Sequence, residues 1–436
     1  MRRIIVITAL VLAAAPASAQ LLPGGIGGLT GGLTSGLPLP GGLPGGLTGA
    51  GQAGAIAGEP LGALGGFAGR EIPAARELLD LRRLRLRTLV RDNDKALDVD
   101  TERNPVRRGE LIAIDLDAAQ TEKVSAAGFT LLRADSDTGV PTTILRPPAK
   151  MPLKRGLAAL RALLPEASFD YNHVYEPAGA ALQTGGTARA GTAVGGVIGL
   201  IDGGVAAHSS LTKANIEQRG FAGPVTATGH GTAIASLLVG QADRFTGAAL
   251  GASLLVADVY GGSAANGSAE AIARALAWLD ARGVRIVNIS LVGPPNILVE
   301  RAIAASRKHG MLVVAAVGND GPAAPPLYPA SYDGVIAVTG VDGRERALAE
   351  AGRASHLDFA APGADLAAAI PAGGFALVRG TSFAAPLVAA RLAVMPGGIA
   401  AVSAEARPAR AGKVGRGIVC GDCRNNDPVL LKKVRR

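Results

Sequence analysis

From Val197 to Met395 the chain alternates short, uninterrupted apolar runs with longer amphipathic ones, and this constrains its fold more than any other feature. VIGLID, ASLLVADVY, IVNISLV, MLVVAAVGN and VIAVTGVD are too continuous for strands with one wet face. GTAIASLLVG, AEAIARALAWLDARG, ILVERAIAASRKHG and SFAAPLVAARLAVM read as the helices between and after them. Apolar strands flanked by helices predict an α/β fold, a doubly wound parallel sheet covered on both faces. Such sheets carry their chemistry at the carboxyl ends of the strands.

The first part of the chain reads differently. Residues 1–19 place Arg2 and Arg3 before an apolar run from Ile4 to Ala15, with Ala17, Ser18 and Ala19 following. This is the pattern of a cleaved export signal, too short for a membrane-spanning helix. It predicts a periplasmic or extracellular protein, and no later apolar stretch suggests a transmembrane segment in the mature chain. Residues 20–70 are rich in glycine, leucine and proline without the three-residue period of collagen, and read as a disordered spacer. Residues 71–108 contain PAARELLDLRRLRLRTLV, a basic helical segment. Residues 109–177 then run β-α-β-β-α-β, with Asp117 at a helix start, which predicts a small α+β unit of ferredoxin-like kind.

The formal net charge of +9 invites a nucleic-acid reading. The excess is confined to the signal and to the tail 407–436, where nine basic residues face only Asp422 and Asp427, so the body is balanced and no nucleic-acid partner is expected. The tail reads as a solvated end. Cys420 and Cys423 are the only cysteines, so a core rather than a disulfide framework must hold the protein, and the pair reads as a local disulfide.

Three side chains fall where the architecture exposes chemistry: Asp202 closes VIGLID, His230 opens a helix in TGHGTAIAS, and Ser382 opens another in RGTSFAAPLVAA. A serine hydroxyl adds to a carbonyl only when a base takes its proton, and imidazole is the base that titrates near neutrality. A carboxylate then holds the ring and stabilises imidazolium. Asn319, at the end of MLVVAAVGN, offers an amide donor for an oxyanion beside the Ser382 backbone N–H.

With Asp-x-Gly, His-Gly-Thr, Gly-Asn and Gly-Thr-Ser-x-Ala-Ala-Pro in that order, residues 194 to 396 resemble the subtilisin-like serine peptidases (S8 family). The resemblance implies Asp202, His230 and Ser382 as a catalytic triad and Asn319 as oxyanion donor. It implies Ser290, Leu291, Val292 and Gly293 as substrate-binding positions, with Val317, Gly318 and Leu327 around S1. Polypeptide substrates follow, and no cofactor is required for the chemistry. Structural calcium is frequent in the family, but no acidic cluster identifies ligands. It further implies that 109–177 is a propeptide acting as intramolecular inhibitor or chaperone, that 178–193 is the processing connector, and that 194–406 is the catalytic domain of a secreted zymogen.

The sequence departs from the family at Gly203, where a serine or threonine usually supports the aspartate, at Val317, where alanine is common, and at Leu387, read as packing. Val317 and Leu327 predict a small or medium apolar P1 side chain. His208 resembles a structural histidine, and His173, His309 and His356 read as surface or packing residues. Asp258 reads as structural. The alternative of another class is an exported pseudoenzyme or envelope binding module with the same fold, disfavoured because Asp202, His230, Asn319 and Ser382 are all present.

Overall fold

A computed structural model describes residues 74–182 and 195–425; the expected signal, the spacer and the last residues of the tail lie outside them. The first element, α1 (Ala75–Asp92), buries Leu78, Leu86 and Leu89. The α+β unit follows with β1 (Leu97–Val99), β2 (Pro105–Ile114), α2 (Ala118–Ala126), β3 (Thr130–Asp135), β4 (Thr142–Arg146), α3 (Leu153–Leu163) and β5 (Ser168–His173). Asp117 and Gln120 cap α2 reciprocally, each side chain accepting from the other's backbone N–H.

The sheet of this unit is antiparallel, ordered β1-β2-β4-β3 with β5 also on β2. Alternate residues of β2 face opposite ways. Leu111 and Ala113 join Leu157, Leu160 and Phe169 under the unit's helices, whereas Ile112 and Ile114 join the core of the following domain. Burial of both faces is why β2 reads as a continuous apolar run.

Two short strands cross to the larger domain, β6 (Glu176–Pro177) and β7 (Ala180–Leu182). Then come β8 (Val197–Asp202), β9 (Ile216–Gly220), α4 (Gly229–Val239), β10 (Gln241–Ala242), β11 (Phe245–Thr246), β12 (Ser253–Asp258), α5 (Ala269–Ala281), β13 (Ile286–Ile289), β14 (Leu291–Val292), α6 (Ile297–Lys308), β15 (Leu312–Ala316), β16 (Ile336–Val341), β17 (Phe359–Pro362), β18 (Leu366–Ala369), β19 (Phe375–Arg379), α7 (Thr381–Val394) and α8 (Gly398–Glu405). Seven strands form one parallel sheet in the order β17-β16-β15-β13-β8-β12-β9. On one face it packs against α4 and α7 through Leu200, Val256, Val314 and Leu387. On the other, Ile201, Val287, Val313 and Val317 meet α5 and α6.

The α+β unit docks on the starts of α5 and α6. Asp170 accepts the Ile297 N–H at 3.0 Å, and Asn172 accepts the Glu270 N–H at 3.3 Å. Acceptors supplied there satisfy N–H groups that a helix leaves unpaired.

One expectation is corrected. The tail read as solvated packs back on the body as far as it is described: Val414 and Ile418 bury against Val341 and Ala360, and Asn425 exchanges hydrogen bonds with Thr246. The segment read as the processing connector begins with β7, which pairs antiparallel with β19.

Candidate active site

Asp202 ends the central strand β8 with 0% of its surface exposed. Its carboxylate oxygens lie 3.0 and 2.9 Å from His230 Nδ1, and one of them accepts the Gly203 N–H at 2.8 Å. A nitrogen facing two acceptors must carry the proton, leaving the lone pair of His230 on Nε2. Thr228 caps α4 by accepting the Gly231 N–H at 3.0 Å and so fixes the turn that holds His230. The hydroxyl expected beside the aspartate has no room: a Cβ on Gly203 would sit 2.4 Å from Thr228 Oγ1 and Cγ2. Thr228 fills that space.

Ser382 lies in the first turn of α7, after Gly380 with φ 140°. Pro386 lacks the N–H that would bond the Ser382 carbonyl four residues back. Ser290 Oγ donates to that carbonyl instead at 2.8 Å, and Asn288 Nδ2 donates to Ser290 Oγ at 2.9 Å. Sequence reasoning gave Ser290 a substrate role and missed this buttress, for which a proline four residues after the serine was the available signal. Phe383 tilts its ring against His230 with centroids 5.5 Å apart, joining the two helix starts.

Asn319 follows β15. Its Oδ1 accepts the Thr381 N–H at 2.9 Å, which turns Nδ2 inward. Among the described residues His230 Nε2, Asn319 Nδ2 and Ser382 Oγ are buried side-chain atoms without a hydrogen-bond partner. Buried polar groups are normally satisfied, so a free polar atom on each of these three side chains marks them as available for reaction.

The chain's own residues 176–180 run past Ser382. The Ala178 N–H donates to the Ser290 carbonyl at 2.9 Å. Upstream, Pro177 and Glu176 pair with Leu291 and Val292; downstream, Ala180 pairs with Arg379. A Cβ on Gly179 would stand 2.0 Å from Ser382 Oγ, and one on Gly380 would meet Asn319 Nδ2 at 2.8 Å and the Ala178 carbonyl oxygen at 3.3 Å. The Ala178–Gly179 peptide bond thus lies near both the serine hydroxyl and the amide donor. Binding as an added strand is a general mode of peptide recognition.

Ala178 packs in the same apolar cluster as Val292 and Leu327, and Leu327 also lies against Gly318. Val317, expected beside them, belongs to the cluster under α5 and α6, because alternate residues of β15 face opposite sides of the sheet. Further upstream, Tyr175 is buried. Its hydroxyl donates to the Pro294 carbonyl at 2.9 Å, and its ring fills the space where Gly293 has no side chain. The Tyr175 N–H bonds the Gly267 carbonyl at 2.8 Å, and Tyr260 donates to the Tyr175 carbonyl at 3.1 Å. Tyr260, Gly267 and Pro294 were missed from sequence; only the glycines of GGSAANGS hinted at a close backbone approach there.

Several other titratable groups are held in bonding networks of their own. Asp258 accepts three backbone N–H groups, from Thr226, Tyr260 and Gly261; burial outweighs them and lifts its carboxyl above the usual range. His208 bonds Ser210 and the Gly374 carbonyl. His173, read as surface or packing, is a packing residue, buried between Asp100 and Asn296. Cys420 and Cys423 form a disulfide. They and Asp422 are the only grouping of three metal-ligand types among the described residues, and bonded sulfurs offer no thiolate to a cation. No helix of the described residues is long and apolar enough to cross a membrane.

A buried carboxylate–imidazole pair, a serine at a helix start and an amide donor, set at the strand ends of a parallel α/β sheet, form a constellation suited to acyl transfer. The chain belongs to the subtilase family, whose model matches residues 193–406. It is 32% identical to subtilisin DY of Bacillus licheniformis over 208 residues, 45% of this chain and 75% of the relative. It is 34% identical to subtilisin Savinase of Lederbergia lenta over 170 residues, 38% of this chain. The chain spans 62% of Savinase and 44% of an alkaline protease of Alkalihalobacillus alcalophilus. Fervidolysin of Fervidobacterium pennivorans, a keratinolytic enzyme related to subtilisin, shares the fold with a TM-score of 0.61 at 17% identity, covering 75% of this chain and 61% of fervidolysin.

Proposed function

We propose that this chain is an exported serine endopeptidase made as a precursor that cleaves its own Ala178–Gly179 bond. The observation that carries the reading is the seating of residues 176–180 as added strands on β14 and β19, with the Ala178 N–H on the Ser290 carbonyl. The export pattern of residues 1–19 and the family membership support the rest.

In this reading Ser382 Oγ attacks the Ala178 carbonyl carbon while His230 Nε2 takes the hydroxyl proton. Asp202 stabilises the imidazolium so formed, and Asn319 Nδ2 with the Ser382 backbone N–H holds the oxyanion. The tetrahedral adduct collapses as His230 returns the proton to the Gly179 nitrogen, which leaves as the new N-terminus. Water, deprotonated by His230, then hydrolyses the Ala178 acyl-enzyme. The α+β unit, docked on α5 and α6 and leading into the cleft, acts as the inhibitory pro-segment. Other polypeptides with a small residue at P1 are cleaved by the same steps.

Intact mass and N-terminal sequencing of the secreted protein test this. The expected product begins at Gly179, labels with a fluorophosphonate, and appears in neither assay for Ser382→Ala. A fully active enzyme retaining residues 109–176 would remove the pro-segment from the reading. Absence of labelling in processed protein would favour the binding-module alternative.

A further inference from the structure

Helix α1 was expected only as an ordinary basic helix, yet two of its arginines reach into the candidate cleft. Arg85 Nε lies 3.3 Å from both carboxylate oxygens of Glu176, and its Nη2 lies 2.9 Å from Asp320 Oδ1. Arg82 Nε lies 3.1 Å from Asp320 Oδ2. The four side chains are nearly dry, with 12% and 19% of Arg82 and Arg85 exposed and 7% and 6% of Glu176 and Asp320. Leu78 of the same helix packs on Gly321, anchoring α1 beside Asp320.

The two carboxylates have different owners. Asp320 directly follows Asn319 in the body, whereas Glu176 is the third residue upstream of the Ala178–Gly179 bond and pairs with Val292. One guanidinium touches both, so they lie within a guanidinium's span of each other. Burial works against the Arg85 charge, but Glu176 and Asp320 outweigh it and hold the guanidinium above its ordinary pKa. Without α1, two buried carboxylates would face each other with no cation between them, an arrangement strongly disfavoured in a partly desolvated site.

We propose that Asp320 is a specificity-determining residue, selecting Lys or Arg and rejecting Glu or Asp at the third position upstream of the cleaved bond once α1 has left, and that Arg85 is what lets the chain's own Glu176 sit there. The proposal rests on the peptidase reading above. A lysine side chain is one bond longer than glutamate and carries the charge that Arg85 supplies in the precursor. The self-cleavage sequence is therefore a good substrate in cis, where α1 is covalently attached, and a poor one in trans. Specificity of this kind combines an attraction for one substrate with a repulsion against another.

The test uses the full chain after it has processed itself, and quenched fluorescent peptides containing Tyr-X-Pro-Ala-Gly-Ala with X as Lys, Gln or Glu. The expected order of kcat/KM is Lys above Gln above Glu, with Lys over Glu by about tenfold at low salt and less at high salt. Asp320→Asn is expected to bring that ratio close to one. In the precursor, Arg85→Ala is expected to slow self-cleavage, and adding Glu176→Gln to restore it, a rescue that loss of helix packing alone would not give. Equal rates in the wild type, or a ratio that survives Asp320→Asn, would overturn the assignment while leaving the peptidase intact. A chain that neither processes itself nor cleaves any of the three peptides would instead overturn the peptidase reading itself.

Discussion

Gly203 and Thr228 occupy one space between them: the side chain of Thr228, which caps the helix bearing His230, stands where a side chain at position 203 would have to go. A Cβ there would come within 2.4 Å of Thr228 Oγ1 and Cγ2, closer than any relaxed contact. Gly203→Ser therefore pushes on the cap and on the turn that aligns His230 with Asp202. The expected outcome is a fall of at least about tenfold in kcat with little change in KM, since orientation of the base is felt in the transition state. Thr228→Gly, which keeps a residue tolerated at helix starts, should recover much of the loss in the double variant. Steady-state kinetics on a short peptide read both. A harmless Gly203→Ser would show that the contact is slack.

Gly179 meets a comparable limit on the other side of the proposed scissile bond. An added methyl would stand 2.0 Å from Ser382 Oγ and 2.9 Å from the Phe383 ring. The hydroxyl can rotate away, but only out of the line of attack, and the ring belongs to the packed start of α7. Gly179→Ala is expected to slow self-cleavage by about tenfold or more, because displacement of the reacting atoms by a fraction of an ångström is costly. Band intensities of precursor and product over time give the rate. Wild-type processing of this variant would move the cleaved bond elsewhere.

Asn319 uses its two polar atoms differently, Oδ1 taking the Thr381 N–H and Nδ2 left free toward Ala178. Asn319→Asp keeps the acceptor and removes the donor. A loss of about 10² to 10³ in kcat is expected, the cost of removing one oxyanion donor from subtilisin, a relative of this chain. KM should change much less, because the oxyanion exists only beyond the ground state. Equal loss in KM and kcat, or none, would argue that another group holds the oxyanion.

The α/β body and the residues around its strand ends were legible because each rests on a local pattern. VIGLID is apolar on both faces because Leu200 and Ile201 meet different helix layers, and a side chain at its end must emerge at the sheet edge. Partnerships between distant segments leave no such pattern. Nothing in PAARELLDLRRLRLRTLV announces that Arg85 will bridge Glu176 and Asp320, which are 91 and 235 residues away. Val317 was misassigned for a related reason: sequence places it next to Gly318, but the pleat turns it to the far side of the sheet. The partners of His173 were equally illegible, because Asp100 and Asn296 reach it from separate elements.

That histidine belongs to a network whose acid sensitivity can be worked out from Asp100. Asn296 Oδ1 is committed to the Leu298 and Val299 N–H groups at the start of α6, so its Nδ2 donates to His173 Nδ1, and His173 Nε2 donates to Asp100 at 3.2 Å. Asp100 also accepts from the backbone of Glu102 and Asn104 and from Asn104 Nδ2. Burial raises its carboxyl, but the bonds from His173 and Asn104 outweigh this and hold it below the usual aspartate range. A carboxyl with a lower pKa folded than unfolded binds fewer protons when folded, so its contribution is complete above its unfolded value of about 3.9 and is lost as pH falls through the depressed one. In the uncleaved Ser382→Ala background, Asp100→Asn is expected to lower the urea midpoint by a constant amount above about pH 5, and the gap should close below about pH 4. Urea titrations at pH 3, 4, 5 and 7 measure the gap, and one that stays constant into acid would mean that the Asp100 charge adds nothing its amide cannot supply.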